Sequence, residues 1–256
     1  MSLLNKLLAA AALAVTMAGV PMVAQAAGGP ALDKAPVRFD DASLQQGAKL
    51  FVNYCLSCHG ASSVRYNTLT QIGLSEQQIK DNLMFAADKP GEQMMVALRR
   101  DDARKWFGVA PPDLSVIARA RASEQGSGAD WLYTYLRQFY RDDSRPTGWN
   151  NVLFPGVGMP HALWGLQGEQ EAHFVTKDDG HGNKVTHLES LEIVKPGTLT
   201  KEEYDEQVAN LVSFITWMGE PGQETRRSMG WLVLAVLSVF AVVSWLLKRA
   251  YWKDVH

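Results

Sequence analysis

Apolar and polar positions alternate with helical spacing in three stretches of the chain, and two further stretches are apolar throughout. Ser43-Leu44-Gln45-Gln46 has the form of a helix-starting capping box, and Leu44, Ala48, Phe51, Val52 and Cys55 follow at helical intervals. Asp130 is a cap candidate for an aromatic helix running from Trp131 to Tyr140. A third helix starts at the box Thr200-Lys201-Glu202-Glu203 and continues through Tyr204, Val208, Leu211, Val212, Ile215 and Met218. It stops at Gly219 and Pro221. Gly47 lies inside the first helix, where glycine costs about 1 kcal/mol against alanine, which predicts close approach by another backbone. The 200–218 helix is the expected neighbour. Gly126, Gly128, Pro146, Gly148 and the segment from Gly156 to Pro160 break the middle of the chain into short helices and loops, and a polar hairpin is expected near residues 173–194 around Asp179-Gly180-His181-Gly182-Asn183. The expected fold class is therefore all-α, with long loops, a small β-hairpin and one C-terminal transmembrane helix.

The two uninterrupted apolar stretches differ in kind. Lys6 precedes Leu7–Val20, and Ala24-Gln25-Ala26 follows Pro21, the order of a secretory signal peptide cleaved after Ala26. Met229–Leu247 has 19 residues without a charge, about 28 Å of helix and close to the hydrocarbon thickness of a bilayer. Trp231, Trp245, Tyr251 and Trp252 flank it at interfacial positions, and Lys248, Arg249 and Lys253 follow. The division is a signal peptide at 1–26, an exported domain at 27–225, a membrane span at 229–247 in contact with lipid and a cytoplasmic tail at 248–256. Such a chain crosses the bacterial inner membrane once, with its main domain in the periplasm.

Composition adds limits. The chain has 256 residues, 46% hydrophobic and 20% charged, which suits one or two domains with a core and excludes a disordered or collagen-like protein. The net charge of −2 gives no reason to expect a nucleic-acid partner. Removing the leader and the basic tail takes it to −5, so the exported domain would steer a partner with a basic face. Glu169-Gln170-Glu171 and Asp178-Asp179 are acidic stretches that could take part, although solvated surface charge explains each equally simply.

Only two cysteines occur, which excludes a disulfide framework, and both belong to Cys55-Leu56-Ser57-Cys58-His59. C-x-x-C-H is the attachment sequence of a c-type haem: two thiols one helical turn apart each form a thioether, and the next residue ligates the iron. A thioredoxin-like site would need a surrounding βαβ pattern, and a zinc site would need more Cys or His at ligand spacing. The first leaves His59 unexplained, and no other Cys exists for the second. The sixth ligand has five methionine candidates outside the leader and the span. Met84, Met94, Met95 and Met218 sit in helix-like contexts that suit core filling. Met159 lies in Phe154-Pro155-Gly156-Val157-Gly158-Met159-Pro160-His161, where glycines permit close approach to a flat ligand and Pro160 biases Met159 toward extended backbone. His161 is its rival, since bis-histidine ligation would lower the potential that Met/His ligation raises. His173, His181 and His187 read as solvated. In Ala110–Arg121, Asp113 can cap the following helix, and Arg121, with Arg119 as second choice, can pair with a buried propionate.

From Ser43 onward these residues resemble the cytochrome c1 family, the haem-bearing, membrane-anchored subunit of quinol-cytochrome c reductase. The resemblance rests on CLSCH, APPDLSVIARAR, FPGVGMP and QVANLVSFITWMGEP leading through TRRSMG into one C-terminal span, in that order. It implies one covalent haem c tethered by Cys55 and Cys58, ligated by His59 and Met159, and neighboured by Pro112 and Arg121. It also implies a dimeric complex with cytochrome b and the Rieske iron-sulfur protein, a soluble or membrane-tethered cytochrome c as acceptor, and a one-electron relay in which this chain makes and breaks no substrate bond. Tyr66–Trp106 and the 184–196 hairpin depart from the longer family members, which leaves the docking surfaces open.

Overall fold

The computed structural model describes residues 31–96, 98–178 and 184–254. The expected leader at 1–26, His181 and the tip of the expected hairpin lie outside the described residues. All that follows concerns the unit Leu32–His256.

Helix α1, Asp41–Leu50, runs into a wider π-helical turn, Phe51–Cys55, that delivers the C-x-x-C-H motif. Its cap is Asp40, whose carboxylate accepts from the Ser43 amide; Ser43 itself is buried inside the helix, so the capping box expected there does not form. An aspartate three residues earlier meets the same need and leaves the serine free to pack. After β1 (Ala61–Arg65) and a 3-10 helix (Tyr66–Ile72) come α2 (Glu76–Asn82), β2 (Gln93–Met94), α3 (Arg100–Phe107), α4 (Ile117–Ala120) and α5 (Gly128–Arg137). The remaining elements are β3 (Phe139–Arg141), β4 (Trp149–Asn151), α6 (Trp164–Gln167), β5 (Gly168–Asp178), β6 (Lys184–Pro196), α7 (Lys201–Gly219) and α8 (Gln223–Tyr251). Ser127 caps α5 in a full capping box with Asp130, and Thr200 caps α7 in another with Glu203.

The core forms where α1 crosses α7. A Cβ on Gly47 would lie 2.1 Å from the Asn210 carbonyl oxygen and 2.6 Å from Phe214 Cβ, so the glycine permits the backbone contact its position predicted. Phe51 and Phe214 fill the crossing with ring centroids 5.6 Å apart, and Gln46 donates to Gln207 at 2.7 Å. All six apolar positions read for α7, from Tyr204 to Met218, are buried. Helix α5 joins this pair through Tyr204, whose hydroxyl donates to the Leu136 carbonyl at 2.8 Å, and through Arg137, which pairs with Asp205 at 2.6 Å. The segment before α1 is pinned to both helices: the Ala35 amide donates to Asp130 and the Arg38 amide to Ser213.

The all-α expectation needs correction. Three antiparallel two-stranded sheets, β1–β2, β3–β4 and β5–β6, accompany the helices. The first two have strands of two to five residues, too short to show a period-2 pattern in sequence. The hairpin exists but is longer than expected, pairing from Gly168↔Pro196 out to Asp178↔Lys184. At its base Arg141 and Lys195 both bind Glu169, and Phe174 meets the Tyr140 ring edge-on.

Helix α8 has 29 residues and is about 43 Å long. It is the one helix among the described residues long and apolar enough to cross a membrane, and its apolar side chains are exposed along its length.

Candidate functional site

One cavity of about 400 Å³ opens between α5, α7, the π-helical turn and the 107–117 and 154–162 segments, with almost entirely apolar walls. Cys55, Cys58, His59, Pro112, Arg121 and Met159, the six residues singled out from the sequence, all line it.

On one side, the wider turn passes the Leu56 amide back to the Phe51 carbonyl, and a tight turn follows in which the Cys58 and His59 amides both donate to the Cys55 carbonyl. Both thiols are free. Burial in apolar surroundings, with the neighbouring Cys58 adding to the effect, pushes the Cys55 thiol up to about 12. The His59 ring is held through Nδ1, 2.8 Å from the Pro112 carbonyl oxygen. Burial lowers the His59 pKa against the opposing pull of that carbonyl and of Asp113. The neutral ring thus donates from Nδ1 and keeps Nε2 as a free base, the tautomer an imidazole metal ligand needs.

The segment that supplies this carbonyl is itself clamped. The Leu114 amide donates to the Gly60 carbonyl at 2.8 Å and the Ser63 amide to the Ser115 hydroxyl at 3.0 Å. Asp113 accepts from the Ser62 and Ser115 amides at 2.8 and 2.9 Å. Its expected role as a helix cap is therefore replaced by a tie between two segments; α4 begins after Val116, without a side-chain cap. Burial raises the Asp113 pKa, but the hydrogen bonds from Ser115 and Ser62 outweigh it and the net shift is downward.

On the other side, Met159 sits in a loop fixed by two buried asparagines that the sequence did not single out. Asn151, fully buried, donates to the Tyr135 carbonyl at 2.8 Å and accepts from the Phe154 amide at 3.0 Å. Asn150 accepts from the Gly156 amide and donates to Asp142, both at 2.8 Å. A Cβ on Gly158 would stand 2.9 Å from both the Phe107 carbonyl oxygen and Val109 Cγ1, so at this point of the cavity wall the glycine makes room for neighbouring protein atoms. The Tyr135 hydroxyl donates to the Met159 sulfur at 3.4 Å.

His161 belongs elsewhere. It is 2% exposed, lies parallel to Phe139 at 4.9 Å with Trp149 edge-on at 5.1 Å, and does not line the cavity. Burial, reinforced by the charge of Arg141, pulls its pKa down to about 4 against the opposing effect of Gln167. It is a core imidazole. Of the other methionines, Met94 and Met218 are buried, Met84 packs partly against the core, and Met95 is half exposed, so the core-filling expectation fails for Met95. His187 is exposed and His173 half exposed, beside Glu192.

Arg121 lies at the cavity wall with its guanidinium 4.3 Å from the Trp131 ring centroid and 5.7 Å from that of Phe154. Among the described residues no carboxylate forms an ion pair with it. Arg119 is exposed and outside the cavity. Glu169, a candidate for docking a basic partner, is occupied by Arg141 and Lys195, which hold its carboxyl down to about 2.

This donor set fits a covalently held haem. Two free thiols share a wall with an imidazole whose Nδ1 is held by a backbone carbonyl, and a thioether lines the same apolar space. An unpaired guanidinium at the wall suits a propionate. Among the described residues no cluster of three His, Cys, Asp or Glu is arranged to hold a metal ion.

Comparison with known proteins gives a matching family model, described as the Cytochrome C1 family, over residues 32–255. The ammonia monooxygenase gamma subunit of Nitrosomonas europaea is 49% identical over 92% of this chain and 94% of its own length. Cytochrome c1 of Allochromatium vinosum is 45% identical over 90% of this chain and 91% of its own. Cytochrome c1 of Rhodospirillum rubrum is 27% identical over 85% and 84%.

Proposed function

The chain belongs to the cytochrome c1 family, whose members carry a covalently bound c-type haem, and we propose on that footing that it relays single electrons from a Rieske iron-sulfur protein to a soluble or membrane-tethered cytochrome c. It does so as the haem subunit of a dimeric cytochrome bc1 complex with cytochrome b. When bound, the haem supplies the one-electron couple. The observation that carries this reading is that His59 and Met159 line one apolar cavity whose wall also holds both free cysteines.

Each residue then has a task. Cys55 and Cys58 fix the cofactor by two thioethers. His59 would hold the iron through Nε2, its ring kept in orientation by the Pro112 carbonyl, and Met159 would hold it through its sulfur, a pair that would raise the potential toward that of a high-potential acceptor. Arg121 compensates propionate charge. The apolar walls exclude water. Helix α8 keeps the domain within the assembly, with the haem domain in the periplasm and the short basic tail inside, once the leader is removed.

The ammonia monooxygenase name of one close relative favours a second reading, in which the same haem subunit serves another membrane oxidoreductase. Purification of the tagged chain from native membranes in mild detergent separates the two. Cytochrome b and a Rieske protein in the purified complex, with ascorbate-reducible c-type haem oxidised by added cytochrome c, support the bc1 role. A complex containing the haem chain but no cytochrome b refutes it.

A further inference from the structure

Tyr135 lines the cavity on the face of α5 that meets the Met159 loop, and its hydroxyl is within 3.4 Å of the sulfur. Its ring is held from two sides, stacked on Trp131 at 4.8 Å and edge-on to Phe139 at 5.0 Å. Its backbone carbonyl is tied by Asn151 to the same buried amide that fixes the loop at Phe154. The distance from phenol to sulfur is therefore set by one asparagine bridging both elements.

From this geometry we propose that Tyr135 is a positioning residue for the sixth ligand: its O–H donates to one lone pair of the Met159 sulfur and thereby weakens the donation of the other to ferric iron. The proposal rests on the reading of Met159 as that ligand. A thioether has two lone pairs, and a hydrogen bond to one withdraws density from both. The ferric state, which depends more on the donated pair, loses more than the ferrous state. Tyr135 consequently raises the potential while making the ferric sulfur bond easier to displace.

The two effects share one origin, so they move together when the hydroxyl is removed. In the full-length haem-loaded chain in detergent, Tyr135→Phe keeps the ring and deletes the donor. The one-electron equilibrium is expected to shift about threefold toward ferric, about 28 mV at 59 mV per decade. Imidazole should bind the ferric protein about threefold more weakly. A tyrosine that only props the loop would give the opposite second result, since a loosened methionine is displaced more easily. Unchanged potential, or tighter imidazole binding, overturns the proposal. Replacing Tyr135 with 3-fluorotyrosine, a stronger donor of nearly the same shape, should move both quantities the other way, and it provides the test if the phenylalanine variant does not fold. Met159→Leu separates this inference from its premise: if that change leaves the potential alone, the ligand reading has failed, whatever Tyr135 does.

Discussion

The two sides of the cavity are built on different plans. On the His59 side, the proposed tethers and ligand occupy five consecutive residues, and a single segment, residues 110–115, is stitched by hydrogen bonds to His59 and the residues just after it. On the Met159 side the sulfur depends on a loop, a helix and a strand converging, with Asn151 as the shared joint. The first plan is local and, once thioethers form, covalent; the second is tertiary and held by a few buried hydrogen bonds. Damage to the first should abolish the site, whereas damage to the second should detune it.

The largest effect follows from breaking the covalent side. Cys58→Ala removes one of two tethers, and denaturing gels stained for haem should show most of the covalent signal lost, while Cys58→Ser should do no better. Retention of full covalent haem would mean that the motif does not attach it. Next in size is Met159→Leu, which should preserve attachment but shift the ferric–ferrous equilibrium toward ferric by at least tenfold, 59 mV for one electron. The ferrous protein should also bind carbon monoxide at neutral pH. An unchanged potential with no carbon monoxide binding would move the sixth ligand elsewhere, though not to His161, which lies outside the cavity.

The same contrast explains what could be read from the chain. The convergence of Cys55, Cys58 and His59 on one cavity is legible because they share a five-residue motif, and that of Met159 because glycine and proline mark its loop. Gly47 is legible because its cost inside a helix implies a reason. Asn151, Tyr135 and the clamping role of Asp113 are not, since their meaning depends on partners 16 to 51 residues away. An Asn-Asn pair looks like a turn, and Asp after two prolines looks like a helix cap. Met95 went wrong for a related reason: apolar neighbours suggested a helix, but the chain there is extended and one of two adjacent methionines must face outward. Short strands such as β2 have no period to read.

Of intermediate size is Asn151→Ala, which tests whether the joint matters. It strands the Phe154 amide and leaves the Tyr135 carbonyl only the longer 3.3 Å bond from the Gln138 amide, at a cost of about 1–3 kcal/mol. Thermal unfolding of the full chain in detergent should show the loss. The ferric sixth position should also become more exchangeable toward imidazole, with covalent haem unaffected. A stability loss without faster exchange would confine Asn151 to the core.

The smallest effect concerns acid. Both sides carry a carboxylate held below its ordinary pKa: Asp113 on the His59 side, and Asp130 at the start of the helix that bears Tyr135. Burial raises the Asp130 pKa, but the Ala35 amide, Lys34 and Ser127 outweigh it and the net shift is downward. A group with a depressed folded pKa contributes stability that is complete above its unfolded value, near 3.8, and is lost as pH falls through the folded value. Acid alone weakens both sides together and cannot distinguish them. Asp130→Asn removes only the Met159-side contribution, so the stability gap between wild type and variant should be about 1–2 kcal/mol and flat above pH 5, then narrow below pH 4. Thermal unfolding across that range measures the gap. A gap that stays constant into acid would mean that Asp130 acts through shape alone, and the tie from α5 to the Ala35 segment would then owe nothing to its charge.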